Sequence, residues 1–234
     1  DLEALQELME RQHKYAKYKE IFQGRNSFSK TDQDATFMHM KEDHMRNSQL
    51  KPGYNVQIAV EAEYIVGIDI SSERADALTL IPLLQSMKGF LKGKKHKNII
   101  ADAGYESEEN YSYLESEKQS CYIKPSNYEK SKSRSYRRNS FRLEAMEYNQ
   151  EKDEYICQNG KKIKAIGFAK RKSKSGYEST LTIYECEDCK DCPHKSACTK
   201  AAGNRQFRVS KNFQEQRIRS LRNITSPIGI LLRI

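Results

Sequence analysis

The segment Asn98-Ile99-Ile100-Ala101-Asp102-Ala103-Gly104-Tyr105 constrains the fold of this chain more than any other. Asn98 to Ala101 is a short run with an apolar centre, the length of a buried strand and too short for a helix. A carboxylate ends the run, and Ala103 and Gly104 permit a tight turn. Ser107 to Lys118 carries Tyr111 and Leu114 on one face and reads as a helix. Ser120-Cys121-Tyr122-Ile123 is a second short strand, closed by Lys124-Pro125. Strand, helix, strand is the unit of a parallel sheet covered by a helix. Asp102 then falls at the carboxyl end of a strand, where open α/β sheets place their ligands. A carboxylate there suits a hard cation such as Mg²⁺, which takes oxygen ligands. It equally suits plain capping of the turn that follows.

Upstream, Asn55-Val56-Gln57-Ile58-Ala59-Val60-Glu61 alternates polar and apolar, and Tyr64 to Ile70 forms a second strand, joined through Glu61 to Glu63 as a hairpin. Asp76 caps a helix over Ala77 to Lys88, whose apolar stripe is Leu80, Leu83, Leu84 and Met87. Residues 1–22 read as an amphipathic helix with Leu2, Leu5, Leu8 or Met9, and Ala16 at helical spacing. His39 and His44 are five apart, poor spacing for a shared helical face, and read as structural or exposed residues rather than ligands. The order hairpin, helix, strand, helix, strand gives an α/β fold with helices on a mixed sheet.

The net charge of +9 is unevenly spread. Residues 1–120 hold 16 Lys/Arg against 20 Asp/Glu, whereas residues 121–234 hold 25 against 12. A basic half of that size points to a polyanion, most often nucleic acid. Between Lys124 and Arg142 seven cations face one acid, Glu129, with Tyr128, Tyr136 and Phe141 interleaved. Cations with aromatics can bind phosphates and stack on bases. Tyr155-Ile156-Cys157, Asn159-Gly160 and Lys161-Lys162-Ile163 read as a β-hairpin, and Lys170, Arg171, Lys172 and Lys174 mark a basic tip or loop beyond it. No apolar run is long enough to span a membrane, and the acidic first residues are no signal peptide. The start at Asp1 rather than Met reads as part of a longer protein.

Four of the six cysteines form Cys186-x2-Cys189-x2-Cys192-x5-Cys198. Without a secretory signal, that clustering favours a metal over disulfides. Four thiolates can close a tetrahedral Zn²⁺ site, and His194 is a further candidate ligand. Iron–sulfur ligation is the rival for the CxxCxxC run, but the spacing to Cys198 is wrong for it, and unmetallated thiols are the other alternative. Cys121 and Cys157 stand apart and read as buried hydrophobes.

Thr31-Asp32-Gln33-Asp34-Ala35, Lys51-Pro52-Gly53-Tyr54-Asn55-Val56-Gln57-Ile58-Ala59, Ala101-Asp102-Ala103-Gly104-Tyr105 and Tyr122-Ile123-Lys124-Pro125 together resemble the DDE transposases of bacterial insertion sequences, in the branch with a Cys-rich insertion. The resemblance runs from Ser29 to Ile234. It implies an α/β, ribonuclease-H-like mixed sheet flanked by helices, with a basic, β-rich, Cys-containing insertion. Its organisation here would be an N-terminal helix and linker at 1–28, an incomplete catalytic core at 29–125, the insertion at 126–205 and a C-terminal helical segment at 206–234. It implies cutting and joining of DNA by two divalent metals, usually Mg²⁺, held by two Asp and one Glu. Asp102 matches the second Asp. The first Asp is expected ahead of Asp1 and the Glu beyond Ile234, so the chain alone is expected to be inactive. Asp32, Asp34 and Asp76 are candidates for support. DNA, a homodimer partner, structural zinc on Cys186, Cys189, Cys192 and Cys198, and a bacterial cytoplasmic, nucleoid-associated location complete the expectation. The rival readings are a noncatalytic DNA-binding protein with a zinc knuckle, and a zinc-dependent structural module.

Overall fold

A computed structural model describes residues 2–40, 45 and 47–233. The chain forms two compact units, Asp1–Lys95 and His96–Ile234.

The first unit opens with α1 (Leu2–Phe22), which buries none of its residues. The expected apolar stripe is present but faces outward, with Leu2, Leu5, Leu8 and Met9 all exposed. Among the described residues, only its carboxyl end is tied down. Tyr18 and Phe22 set their rings 5.5 and 5.0 Å from Phe28, and Arg25 donates to the carbonyls of Ile21, Phe22, Gln33 and Asp34. A guanidinium at a helix carboxyl terminus answers the unpaired carbonyls and the negative end of the dipole. Strands β1 (Thr36–His39) and β2 (Leu50–Gly53) pair antiparallel, as do β3 (Asn55–Glu61) and β4 (Tyr64–Ser71). The β3–β4 loop is Ala62 and Glu63, both at positive φ (48° and 70°). This is the two-residue turn whose twist matches the strands, made without the glycine that usually relieves it. Helix α2 (Leu80–Phe90) buries Leu80, Leu83 and Met87 and packs on β4. Gly67 permits the approach: a Cβ there would lie 2.6 Å from Met87 Cγ. His39 Nδ1 lies 2.7 Å from the Ser48 carbonyl; His44 lies outside the described residues.

The second unit has two layers of its own. Strands β5 (Asn98–Ala101) and β6 (Ser120–Ile123) are parallel neighbours, with Asn98 opposite Ser120 and Ala101 opposite Ile123. Helix α3 (Glu108–Ser116) connects them, its first turn capped by the Ser107 hydroxyl, which accepts from Asn110 N–H at 3.0 Å. Tyr111 and Leu114 are buried, as the helical spacing predicts. Helix α7 (Lys211–Thr225) covers α3 and β6. Its Ser220 hydroxyl donates to the Ile123 carbonyl at 2.7 Å, and Asn223 Nδ2 donates to the Cys121 carbonyl at 2.9 Å. Ser226 caps α8 (Pro227–Leu231), with Pro227 in the first turn. Gly229 is required there, because a Cβ would lie 1.9 Å from the Asn223 carbonyl oxygen.

Between these elements the chain forms the short helices α4 (Tyr128–Ser131) and α5 (Arg134–Arg138) and then an antiparallel five-stranded sheet. Its strands are β7 (Glu147–Asn149), β8 (Glu154–Ile156), β9 (Lys162–Lys172), β10 (Glu178–Cys186) and β11 (Gln206–Val209), in the spatial order β11-β10-β9-β8-β7. The short helix α6 (Lys195–Cys198) lies between β10 and β11.

Two expectations are revised. The mixed sheet expected from the sequence is, among the described residues, hydrogen-bonded as separate pairs, β3–β4 and β5–β6. The β-rich insertion expected to end at 205 has a core of its own and does not end there. Met146, Tyr155, Ile163, Tyr184, Cys186, Cys189 and Val209 bury together, and the sheet continues past residue 205 into β11. Aromatic rings decide this: Tyr155, Tyr184 and Phe207 pack within 5.1 to 5.5 Å of one another. Large rings build a compact cluster from few residues.

Candidate functional site: a carboxylate at a strand end and a cysteine cavity

Asp102 follows β5 directly and stands exposed at the carboxyl end of the parallel pair, where the sequence placed it. Its Oδ1 accepts from the Gly104 N–H at 2.8 Å, capping the one-turn 3-10 helix Ala103–Tyr105. The other carboxylate oxygen takes no part in that cap. Four residues on, Glu106 does the opposite. Its side chain is only 2% exposed and pairs with Arg217 of α7, with Arg217 Nε 2.9 Å from Oε1. Arg217 Nη2 reaches Oε2 at 3.1 Å, the Ser126 N–H donates to Oε2 at 2.7 Å and the Tyr111 hydroxyl to Oε1 at 3.0 Å. Burial, then the Glu106 charge, pushes the Tyr111 hydroxyl far above its ordinary range. The turn that carries Asp102 is thus bolted to α7 by a buried ion pair with hydrogen bonds on both carboxylate oxygens. Sequence reasoning missed Glu106 and Arg217. No spacing signals a pair so far apart in the chain.

Asp32, Asp34 and Asp76 lie in the first unit. Asp32 makes the turn of its own motif, accepting from the Asp34 and Ala35 N–H groups, and takes the Tyr54 hydroxyl at 2.9 Å. Asp76 accepts from Asn55 Nδ2 at 2.8 Å. Among the described residues, no group of three or more His, Cys, Asp or Glu is placed to hold a metal ion. The residues present therefore do not fit a pair of Mg²⁺ ions at Asp102.

The cysteines converge without forming a ligand set. Cys186, Cys189, Cys192 and Cys198 all line one small cavity of about 20 Å³, together with Cys157, His194 and Arg205. That is room for one water-sized occupant. All are free thiols. Burial pushes the Cys186 thiol up to about 12. Arg205 organises the group: its Nη1 donates to Cys198 Sγ at 2.9 Å, its backbone N–H to Cys189 Sγ at 3.4 Å, and its Nη2 to the Phe141 carbonyl at 2.7 Å. The donors suit zinc in kind, but the thiols are not placed as three or four ligands around one point. Spacing reveals which sulfurs share a loop. Their final directions depend on Arg205, which the spacing does not reveal.

The basic segment 124–142 also differs from a simple polyanion surface. Glu129 takes both Lys124 and Lys132, at 3.2 and 3.0 Å. Lys132 lies 4.1 Å from the centre of the Tyr128 ring and Arg142 3.5 Å from that of Tyr136. These rings hold the chain's own cations. Phe141 lies against His194, with ring centres 5.8 Å apart.

Residues 156–233 match the Transposase DDE domain family. The matched part, about a third of the chain, is similar to a transposase DDE domain. The match spans β9, β10, the cysteine loop, β11 and α7, and it begins after Asp102. No curated protein and no solved structure matches. No helix among the described residues is long and apolar enough to cross a membrane.

Proposed function

We propose that this chain is part of a DNA transposase in which Asp102 is one carboxylate of the reaction centre. The observation that carries the reading is the match of residues 156–233 to the transposase DDE domain. It is supported by an exposed carboxylate at the carboxyl end of a parallel strand. The reaction class is nicking of a DNA strand and transfer of its 3′ end, with divalent metals supplying charge neutralisation when bound. One carboxylate does not hold two Mg²⁺ ions. The 234-residue chain by itself therefore binds duplex DNA without cutting it, and two chains meet on paired DNA ends.

Binding to duplex DNA across a salt series, with plasmid nicking in Mg²⁺, tests this. The expected result is binding that weakens steeply with salt, no nicking, and a doubled mass on DNA in sedimentation. Absence of binding at low salt would sink the transposase reading. Nicking that survives Asp102→Asn would remove Asp102 from the reaction centre.

A second reading, a noncatalytic DNA-binding protein with a zinc knuckle, is favoured by one observation: the four clustered thiols, with Cys157, line a single cavity. Metal content of the purified chain decides it. One zinc per chain, lost in Cys189→Ser, supports the knuckle; a folded, metal-free chain removes it.

A further inference from the structure

The hairpin formed by β9 and β10 runs beyond its neighbours. Strand β8 pairs with β9 only over Lys162–Ile163–Lys164, and β11 pairs with β10 only over Thr182–Glu185. The part made of residues 169–172 and 178–181 is therefore a two-stranded ribbon, with no described strand on either outer edge, and Phe168 stands at its base opposite Thr182. A register shift between Ile183 and Tyr184 marks its base, leaving Ile166 as the extra residue. Such a bulge bends and twists a hairpin and aims what lies beyond it.

The ribbon has two unlike faces. Opposed residues share a face, so Phe168 lies with Thr182, Lys170 with Thr180 and Lys172 with Glu178. Phe168, Lys170, Lys172, Thr180 and Glu178 are exposed, Phe168 at 74%. The opposite face, Gly167, Ala169, Ser179 and Leu181, is half-buried, with only Arg171 exposed. Phe168 presents an open aromatic face to water beside two lysines. Tyr128 and Tyr136, by contrast, have their cations seated on them.

The tip of the ribbon is not loose. Ser173 and Ser175 donate to Glu109 Oε2 at 3.4 and 2.5 Å. Tyr177 hydroxyl donates to Glu108 Oε1 at 3.3 Å and lies 3.0 Å from Ser112 Oγ. Glu108 and Glu109 are the first turn of α3, the helix that follows Asp102. The basic ribbon is latched to the element next to the candidate reaction centre.

We propose that this ribbon is a duplex-DNA contact arm, lying in the major groove with Lys170, Arg171 and Lys172 on phosphates and Phe168 against the groove floor. Two strands lie about 4.8 Å apart, and a groove about 12 Å wide admits such a ribbon. The latch to α3 then brings the bound duplex to the Asp102 end of the sheet. The inference rests on the transposase reading and names the surface that reading uses.

The test is binding of the full chain to a short fluorescent duplex across a salt series, with thermal melting as the fold control. Lys170→Gln/Arg171→Gln/Lys172→Gln weakens binding on the order of tenfold or more and lowers the salt slope by about 0.9 for each phosphate no longer neutralised. Phe168→Ala weakens binding without changing that slope. Glu178→Gln tightens it, because the acid facing Lys172 is gone. Arg134→Gln/Arg137→Gln/Arg138→Gln on α5 removes equal charge and changes binding far less. Equal losses from the two triple variants, or unchanged binding by the ribbon variant, overturn the arm while leaving the transposase reading intact. A wild-type chain that binds no duplex at all overturns both.

Discussion

Asp102 and the cysteine cavity are held in opposite ways. The carboxylate stands in solvent with one backbone hydrogen bond, and its rigidity comes from beneath it, through the buried Glu106–Arg217 pair. The thiols are themselves part of the core, with Cys186 and Cys189 buried in the cluster of Tyr155, Ile163 and Tyr184. The difference follows from desolvation. A charge loses several kcal/mol on burial unless paired, so the unpaired Asp102 carboxylate stays outside while the Glu106 carboxylate, paired with Arg217, lies inside. A neutral thiol behaves as a small hydrophobe and is buried directly.

The largest effect should come from breaking the support of Asp102. Arg217→Met leaves Glu106 buried without its partner and should cost about 3–5 kcal/mol in urea unfolding. A loss below about 1 kcal/mol would show that the pair behaves like a surface ion pair. On the cysteine side the corresponding variant is Arg205→Ala. It strips partners from Cys198 and the Phe141 carbonyl and should cost about 1–3 kcal/mol, with faster alkylation of Cys198 as the local readout. Removing the α3 cap with Ser107→Ala should cost about 1 kcal/mol and leave cysteine alkylation unchanged.

Alkaline pH sharpens the contrast. The Cys186 thiol is raised from an ordinary value of 9.0 to about 12 by burial. Above about pH 9 the unfolded chain loses this proton while the folded chain keeps it. Its contribution is complete below about pH 9 and is lost as pH rises toward about 12. The stability advantage of wild type over Cys186→Ala should therefore shrink across that window. A constant difference would mean that the thiol is solvated.

At acid pH the sheet has its own sensor. Burial raises the Asp153 carboxyl, but donors from Lys211, Tyr184 and Tyr148 outweigh it and hold the group below its ordinary range. Lys211 Nζ lies 2.6 Å from it, joining the sheet to the first residue of α7. Stability from this carboxylate is present above its ordinary value and lost as pH falls. Asp153→Asn should abolish that part of the acid dependence.

Much of this was legible in the sequence because it is local. The strand ending on Asp102, the helix after it with Tyr111 and Leu114 inward, the hairpin around Asn159-Gly160 and the Pro227 helix start each depend on a few adjacent residues and on period. Helical period does not reveal a partner, however. Among the described residues, α1 and α7 are both amphipathic, yet α7 buries Gln216, Ser220 and Ile224 and α1 buries nothing. Which face of a helix is apolar is written in its own residues. What covers that face is decided by elements elsewhere in the chain.

The sequence by itself determined the elements, the end of the strand where Asp102 stands, the basic half and the loop that gathers four cysteines. Only the tertiary structure decided that Glu106 and Arg217 form the support, that Arg205 directs the thiols, that Tyr128 and Tyr136 hold the chain's own cations and that the β9–β10 ribbon is latched beside Asp102. Each of these joins residues that no short motif connects. Such contacts are set by packing and desolvation in three dimensions, and no local spacing encodes them.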